Sequence, residues 1–198
     1  MNTAKPSQWP ENVEYIFSIK YSKNVRPETL QALITKPNTA TTVKHTPGPC
    51  PRVRIKSITD PSHPAHDQHG LFASQHLAPS TYIISYVGYL HTKDEADSES
   101  NYDLSLDREL GIGVDATKHG NEARFINDYR GISDSPNAEF RDIWVDMGGG
   151  KCEKRMGVYV LGAGRSGKKA KGIAKGEEIL VSYGKGFWKE RNKEAWDE

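Results

Sequence analysis

The stretch GVYVLGAGRSGKK, residues 157–169, sets Gly162, Gly164 and Gly167 in a GxGxxG spacing behind an apolar run. In that arrangement a tight turn can hold a dinucleotide pyrophosphate on its backbone N–H groups. The same residues nearly spell GxxxxGK[ST], with Gly167 and Lys168 in place. Neither site can be completed. A dinucleotide turn needs a helix directly behind its glycines and an acidic residue about 20 positions on for the ribose. Here KKAKGIAKGEEI follows, interrupted by Gly172 and Gly176, and the distal position falls near Ser182. Lys169 stands where a Ser or Thr would have to ligate magnesium. The expected structure is a strand, a basic turn and another strand.

Other residues could do chemistry. His63, His66 and His69 recur every third position in SHPAHDQH, but Pro61 and Pro64 make this a loop. No HExxH or CxxC supports a zinc site, so no metal is expected. No GxSxG elbow is present, and Cys50 and Cys152 lack a nucleophile context, although they could form one disulfide. More informative are Tyr86, Tyr102 and Tyr183, each in or at the end of a strand candidate, together with Asn127 and Asn137. Tyrosines converging on one channel suit a cationic substrate or cofactor, because ring faces attract cations.

The elements that must position them are mostly short strands. Residues 11–21, ENVEYIFSIKY, alternate as one strand, and RPETLQALITKP suits a helix from near Pro27 to before Pro37. Residues 37–51 are rich in Pro and Thr and predict an irregular linker. RVRIKSI, TYIISYV, YDLSLD, GIGVD, FRDIWVD, GVYVL and EILVSYG follow as strand candidates. No long amphipathic helices separate them, which argues against a doubly wound parallel sheet. A C-terminal helix, FWKERNKEAW, brings Trp188, Asn192, Ala195 and Trp196 near one face. The acidic run 94–100, DEADSES, predicts a solvated loop.

With 198 residues, 35% hydrophobic, the chain is expected to hold one substantial domain. A net charge of +1 selects neither nucleic acid nor membrane as a global partner. No apolar run approaches the roughly 20 residues that span a bilayer, and no secretory signal is evident, so a soluble intracellular protein is expected.

Three blocks, in order, resemble the SET domain, the protein lysine methyltransferase module. They are HGLFASQHLAPSTYIISYVGYL, GVDATKHGNEARFINDYRGISDSPNAEF and KGIAKGEEILVSYGKGFW. The resemblance runs from about Arg52 to Trp188. It implies a mainly β fold with a few short helices, a β-clip of short curved sheets whose C-terminal segment is threaded like a pseudoknot. Residues 51–185 would form that domain, with 1–50 and 186–198 as flanks, the latter helical.

The resemblance also implies transfer of methyl from S-adenosyl-L-methionine to a lysine side chain, on a histone tail or on a non-histone protein. Cofactor and lysine would meet from opposite faces. Backbone groups around His69, Gly70, Leu71 and Phe72 would approach the cofactor, with Tyr102 near its methionine part. Asn127 and Asp128 would hold its amino end and adenine edge, beside Arg124 and Phe125. Tyr183 would line the methyl-transfer site and Tyr86 the lysine channel, while Phe187 or Trp188 would cover the adenine. This chain departs from the family pattern at Asp128, where the family has histidine, and at Gln68, where it has glycine. Those departures motivate an alternative, an inactive SET-like binding module. A monomer is expected, nuclear if its substrate is a histone, with nucleic-acid phosphates touching the basic turn from Arg165 to Lys175 as a further partner.

Overall fold

The computed structural model describes residues 5–162, 164, 171–184 and 187–188. Residues 165–170 of the basic turn, Gly167 among them, and the C-terminal positions Asn192, Ala195 and Trp196 lie outside the described residues. In chain order the strands are β1 (Glu14–Tyr15), β2 (Lys20–Tyr21), β3 (Thr42–Lys44), β4 (Val53–Ser57), β5 (His69–Ala73), β6 (Tyr82–Tyr86), β7 (Tyr89–Thr92), β8 (Asp103–Asp107), β9 (Ile112–Asp115), β10 (His119–Gly120), β11 (Asn127–Asp128), β12 (Ala138–Gly148), β13 (Lys151–Val160) and β14 (Leu180–Val181). One helix, α1 (Pro27–Ile34), and two 3-10 turns, Lys93–Glu95 and Glu122–Phe125, complete the described elements. The fold is mainly β, as the three blocks predict.

Two four-stranded sheets, ordered β3-β12-β13-β6 and β2-β7-β9-β8, carry most of the pairing. The β12–β13 hairpin is the longest, in antiparallel register from Ala138↔Val160 to Gly148↔Lys151. Its turn holds Gly148, Gly149 and Gly150 at φ of 85°, 62° and 76°, left-handed backbone that only glycine adopts cheaply in succession. Strand β6 is buried on both faces, with Ile83 and Ile84 adjacent in sequence and both in the core, so its pattern is an apolar run and not an alternation.

Residues 11–21 do not form one strand. Ile16 and Ile19 are both buried, a spacing that strand alternation cannot produce, and the chain turns between them. Strand β1 pairs in parallel with β10, whereas β2 pairs in parallel with β7. The 37–51 segment is likewise not wholly irregular, since β3 pairs with β12, Trp144↔Thr42 to Asp146↔Lys44. The N-terminal fifty residues thus add an edge to three different sheets. The helix begins at Pro27, where a missing N–H costs nothing, and buries Leu33. Cys50 and Cys152 are free thiols, so the disulfide considered from the sequence does not form.

The closing segment is threaded. Strand β14 pairs in parallel with β11, and isolated bridges join Phe72 to Glu178 and Leu77 to Ile173. Asn137 pins it from the preceding loop: its Oδ1 accepts the Leu180 N–H at 2.8 Å and its Nδ2 donates to the Glu178 carbonyl at 2.7 Å. This lock brings residues 126–128 beside residues 180–183 despite more than fifty intervening positions.

Candidate active site

A cavity of about 740 Å³ lies against this lock. His69, Tyr102, Arg124, Phe125, Asn127, Asp128, Tyr183, Phe187 and Trp188 all line it. Nine residues singled out in the sequence, from four separate segments, therefore share one site. Gly70, Leu71, Phe72 and Tyr86 are not among its lining residues. Leu71 is wholly buried in the core, and its carbonyl is taken by the Ile179 N–H at 2.8 Å. Phe72 faces Lys56, whose Nζ sits 4.6 Å from the ring centroid. Gly70 packs so closely on Glu178 that a Cβ there would meet Oε1 at 2.5 Å.

Tyr183 stands at the end of β14. Its hydroxyl donates to the Ile126 carbonyl at 2.7 Å, and its backbone N–H donates to Asp128 Oδ2 at 2.7 Å. Burial, and then the Asp128 charge, push its pKa well up, so it stays protonated. Tyr86 is in the same state: its hydroxyl donates to the Tyr102 carbonyl at 2.6 Å, and burial raises its pKa strongly, helped by Tyr183. Each phenol has its proton committed to a carbonyl and keeps its lone pairs for another partner.

Asn127 donates from Nδ2 to Glu178 Oε1 at 2.8 Å and to the His69 carbonyl at 3.4 Å. Its Oδ1 receives no hydrogen bond among the described residues. Arg124 donates from Nε to the Ala116 carbonyl at 2.9 Å, and its guanidinium lies 4.1 Å from the Tyr102 ring centroid and 5.0 Å from that of Phe125. No carboxylate pairs with it among the described residues. The site thus presents a cation lacking an anion and an amide oxygen lacking a donor.

Asp128 has a side chain only 5% exposed and is paired with Arg130 Nη1 at 2.8 Å. Its Oδ2 also accepts the Trp188 indole N–H at 3.2 Å. Both oxygens are occupied by the protein itself, so this carboxylate organises the wall. Trp188 and Phe187 meet edge-on with centroids 5.4 Å apart, and Phe187 meets Tyr183 at 4.8 Å.

Three contributors escaped the sequence reading. His63, weighed there as a metal ligand, hydrogen-bonds Glu178 Oε2 at 3.1 Å, and its Nδ1 accepts the Ala65 N–H at 3.0 Å. In that arrangement Nε2 is the ring nitrogen facing the carboxylate. Glu178 therefore joins His63 to Asn127. The N-terminal flank also supplies wall through Pro10, Asn12 and Val13. Nothing local marks them; the GEEI motif is the one signal that could have drawn attention to Glu178. Among the described residues, no group of three or more His, Cys, Asp or Glu side chains could hold a metal.

The SET-domain profile matches residues 68–184. Histone-lysine N-methyltransferase SUVR5 of Arabidopsis thaliana is 30% identical over 135 residues, covering 59% of this chain and 9% of that protein. Among solved structures, ctPRC2 in an autoinhibited conformation bound to S-adenosylmethionine matches with a TM-score of 0.52 at 25% identity, over 75% of this chain and 17% of that one. Chaetomium thermophilum Polycomb Repressive Complex 2 bound to GSK126 matches in fold with a TM-score of 0.52 at 23% identity, over 74% and 17%. This chain spans about a tenth of the length of the Arabidopsis relative and about a sixth of the ctPRC2 chains.

Proposed function

The chain belongs to the SET-domain family, and we propose that it is an S-adenosylmethionine-dependent protein lysine N-methyltransferase that acts on a histone tail. The observation that carries this reading is the meeting of Asn127 and Tyr183 at one cavity, with the Tyr183 hydroxyl on the Ile126 carbonyl at 2.7 Å.

The residues fit the cofactor. Arg124 can take the carboxylate of a zwitterionic amino-acid end, and the open Oδ1 of Asn127 can take its ammonium. Phe125 and Trp188 supply aromatic walls for a flat base. When bound, the cofactor supplies an electrophilic methyl group on a sulfonium. Tyr183 offers a neutral, polarised oxygen that orients a methyl or an amine without competing as a nucleophile, and Tyr86 stands behind the wall with its hydroxyl on the Tyr102 carbonyl. Neither phenol can serve as a general base while its pKa lies so high, so the lysine must lose its proton to water before it attacks. A bare carboxylate beside the amine would hold that proton on. Asp128 is instead neutralised by Arg130.

A peptide can enter by strand addition. Strand β8 is the edge of its sheet, immediately after Tyr102, and an extended tail would pair with its open backbone groups. The Arabidopsis relative being a histone-lysine N-methyltransferase supports a histone substrate, which would place the protein in the nucleus. The acidic loop contributes less to basic-tail recognition than its composition suggests, since Glu95 is held by Ser22 and Thr92. Residues 51–185 would carry the activity.

Calorimetry with S-adenosylmethionine, then a peptide array with a labelled methyl donor, tests the reading. Saturable cofactor binding and label on histone peptides are expected. Label confined to non-histone peptides would correct the substrate, and absence of cofactor binding would leave only a SET-like binding module.

A further inference from the structure

A second cavity, of about 370 Å³, lies between residues 45–52, β6 and β13 and shares no lining residue with the site above. Arg52, Arg155, His45, Tyr82, Ser85 and Asn121 supply its polar wall, and among the described residues no Asp or Glu lines it.

Its two guanidinium groups are unequally satisfied. Arg52 donates to the Tyr82 and Ile83 carbonyls at 2.7 and 2.8 Å and has no ion pair among the described residues. Arg155, with a side chain 2% exposed, pairs through Nε with Glu153, whose other oxygen is taken by the Tyr21 hydroxyl. Its terminal nitrogens hold the remaining N–H donors, yet among the described residues Nη1 reaches only the Phe17 carbonyl at 3.4 Å and Nη2 only the Met147 sulfur at 3.4 Å. A buried cation with donors so poorly supplied favours an added acceptor, because an unmade hydrogen bond in a dry site is costly. The Tyr82 and Ser85 hydroxyls bond each other at 2.8 Å, so one of the two can redirect its proton to a ligand. Burial, and then the charge of Arg155, lower the His45 pKa against the opposing charge of Glu153.

We propose that this cavity binds a small oxyanion, a carboxylate or phosphate group, between Arg52 and Arg155. Planar forks of N–H donors match both groups, and the Glu153 carboxylate paired with Arg155 is not itself a lining residue.

The test is calorimetry of inorganic phosphate and of malonate into the full chain, with ionic strength held by chloride. One saturable site is expected for at least one of them, and the lower dissociation constant identifies whether phosphate or carboxylate is the preferred group. His45→Asp supplies an internal carboxylate at the cavity and should weaken binding at least about tenfold, as should Arg52→Gln, whereas His45→Asn should retain it. Should Arg52→Gln lose its near-ultraviolet circular dichroism, the two His45 variants decide. No saturable heat with either anion, or equal binding in His45→Asp and the unaltered protein, would overturn the proposal.

Discussion

The carboxylate of Asp128 accepts the backbone N–H of Tyr183 at 2.7 Å. The same oxygen takes the Trp188 indole, and Arg130 Nη1 donates to both oxygens, to Oδ2 at 2.8 Å and to Oδ1 at 3.0 Å. One side chain thus sets the position of the tyrosine backbone and of an aromatic wall. We expect Asp128→Ala to cost about 2 kcal/mol in urea unfolding, because it strands two donors in a largely buried place. It should also weaken S-adenosylmethionine binding. A loss below about 0.5 kcal/mol, the size of an ordinary surface change, would remove Asp128 as the organiser.

Tyr183→Phe should lower the single-turnover methylation rate on the order of a hundredfold or more. The ring, and its edge contact with Phe187, would remain. Only the hydroxyl oxygen and its bond to the Ile126 carbonyl are lost. An unchanged single-turnover rate would refute the role given to this hydroxyl.

How far the sequence carries to this site depends on the range of the interaction. The helix at Pro27–Ile34 is legible because two prolines bracket it. Strand β5, HGLFA, is harder, since Leu71 and Gly70 are both buried and no alternation survives. The two-residue strands β10 and β11 are too short for any periodicity, and long-range pairing alone makes them strands, whereas β14 falls within the candidate EILVSYG and β1 and β2 within the run 11–21 read as one strand. Asn127 and Tyr183 are visible through the motif order that resembles the family. His63 and Glu178 are not, because they lie 115 positions apart and meet only once the closing segment is threaded.

That threading makes Gly70 a test of the cofactor wall. A Cβ at this position would meet Glu178 Oε1 at 2.5 Å and a Phe72 ring carbon at 3.0 Å. The carboxylate is the movable neighbour, so Gly70→Ala should swing it away and release both Asn127 and His63. We expect at least about fivefold weaker S-adenosylmethionine binding by calorimetry, roughly the loss of one hydrogen bond worth about 1 kcal/mol. Unchanged affinity would show that Glu178 does not set the Asn127 amide.

His91 gives the stability a pH dependence of known sign. Its Nε2 faces Asp103 Oδ1 at 3.0 Å and its Nδ1 faces the Thr92 carbonyl at 2.9 Å. Two acceptors need two N–H donors, so the geometry suits the imidazolium. The Asp103 hydrogen bond accordingly raises the pKa from 6.5, against the opposing effect of burial. A histidine raised in the folded state binds its proton more tightly there than in the unfolded chain. Its contribution is therefore fully present below the unfolded value and is lost as pH rises through the folded one. Asp103→Asn removes the cause. The unaltered protein should exceed that variant in Tm by about 3 °C below pH 6.5, and the gap should narrow as the pH is raised toward about 9. A gap that stayed constant across this range, or widened, would mean that the protonation of His91 is not what the pair stabilises.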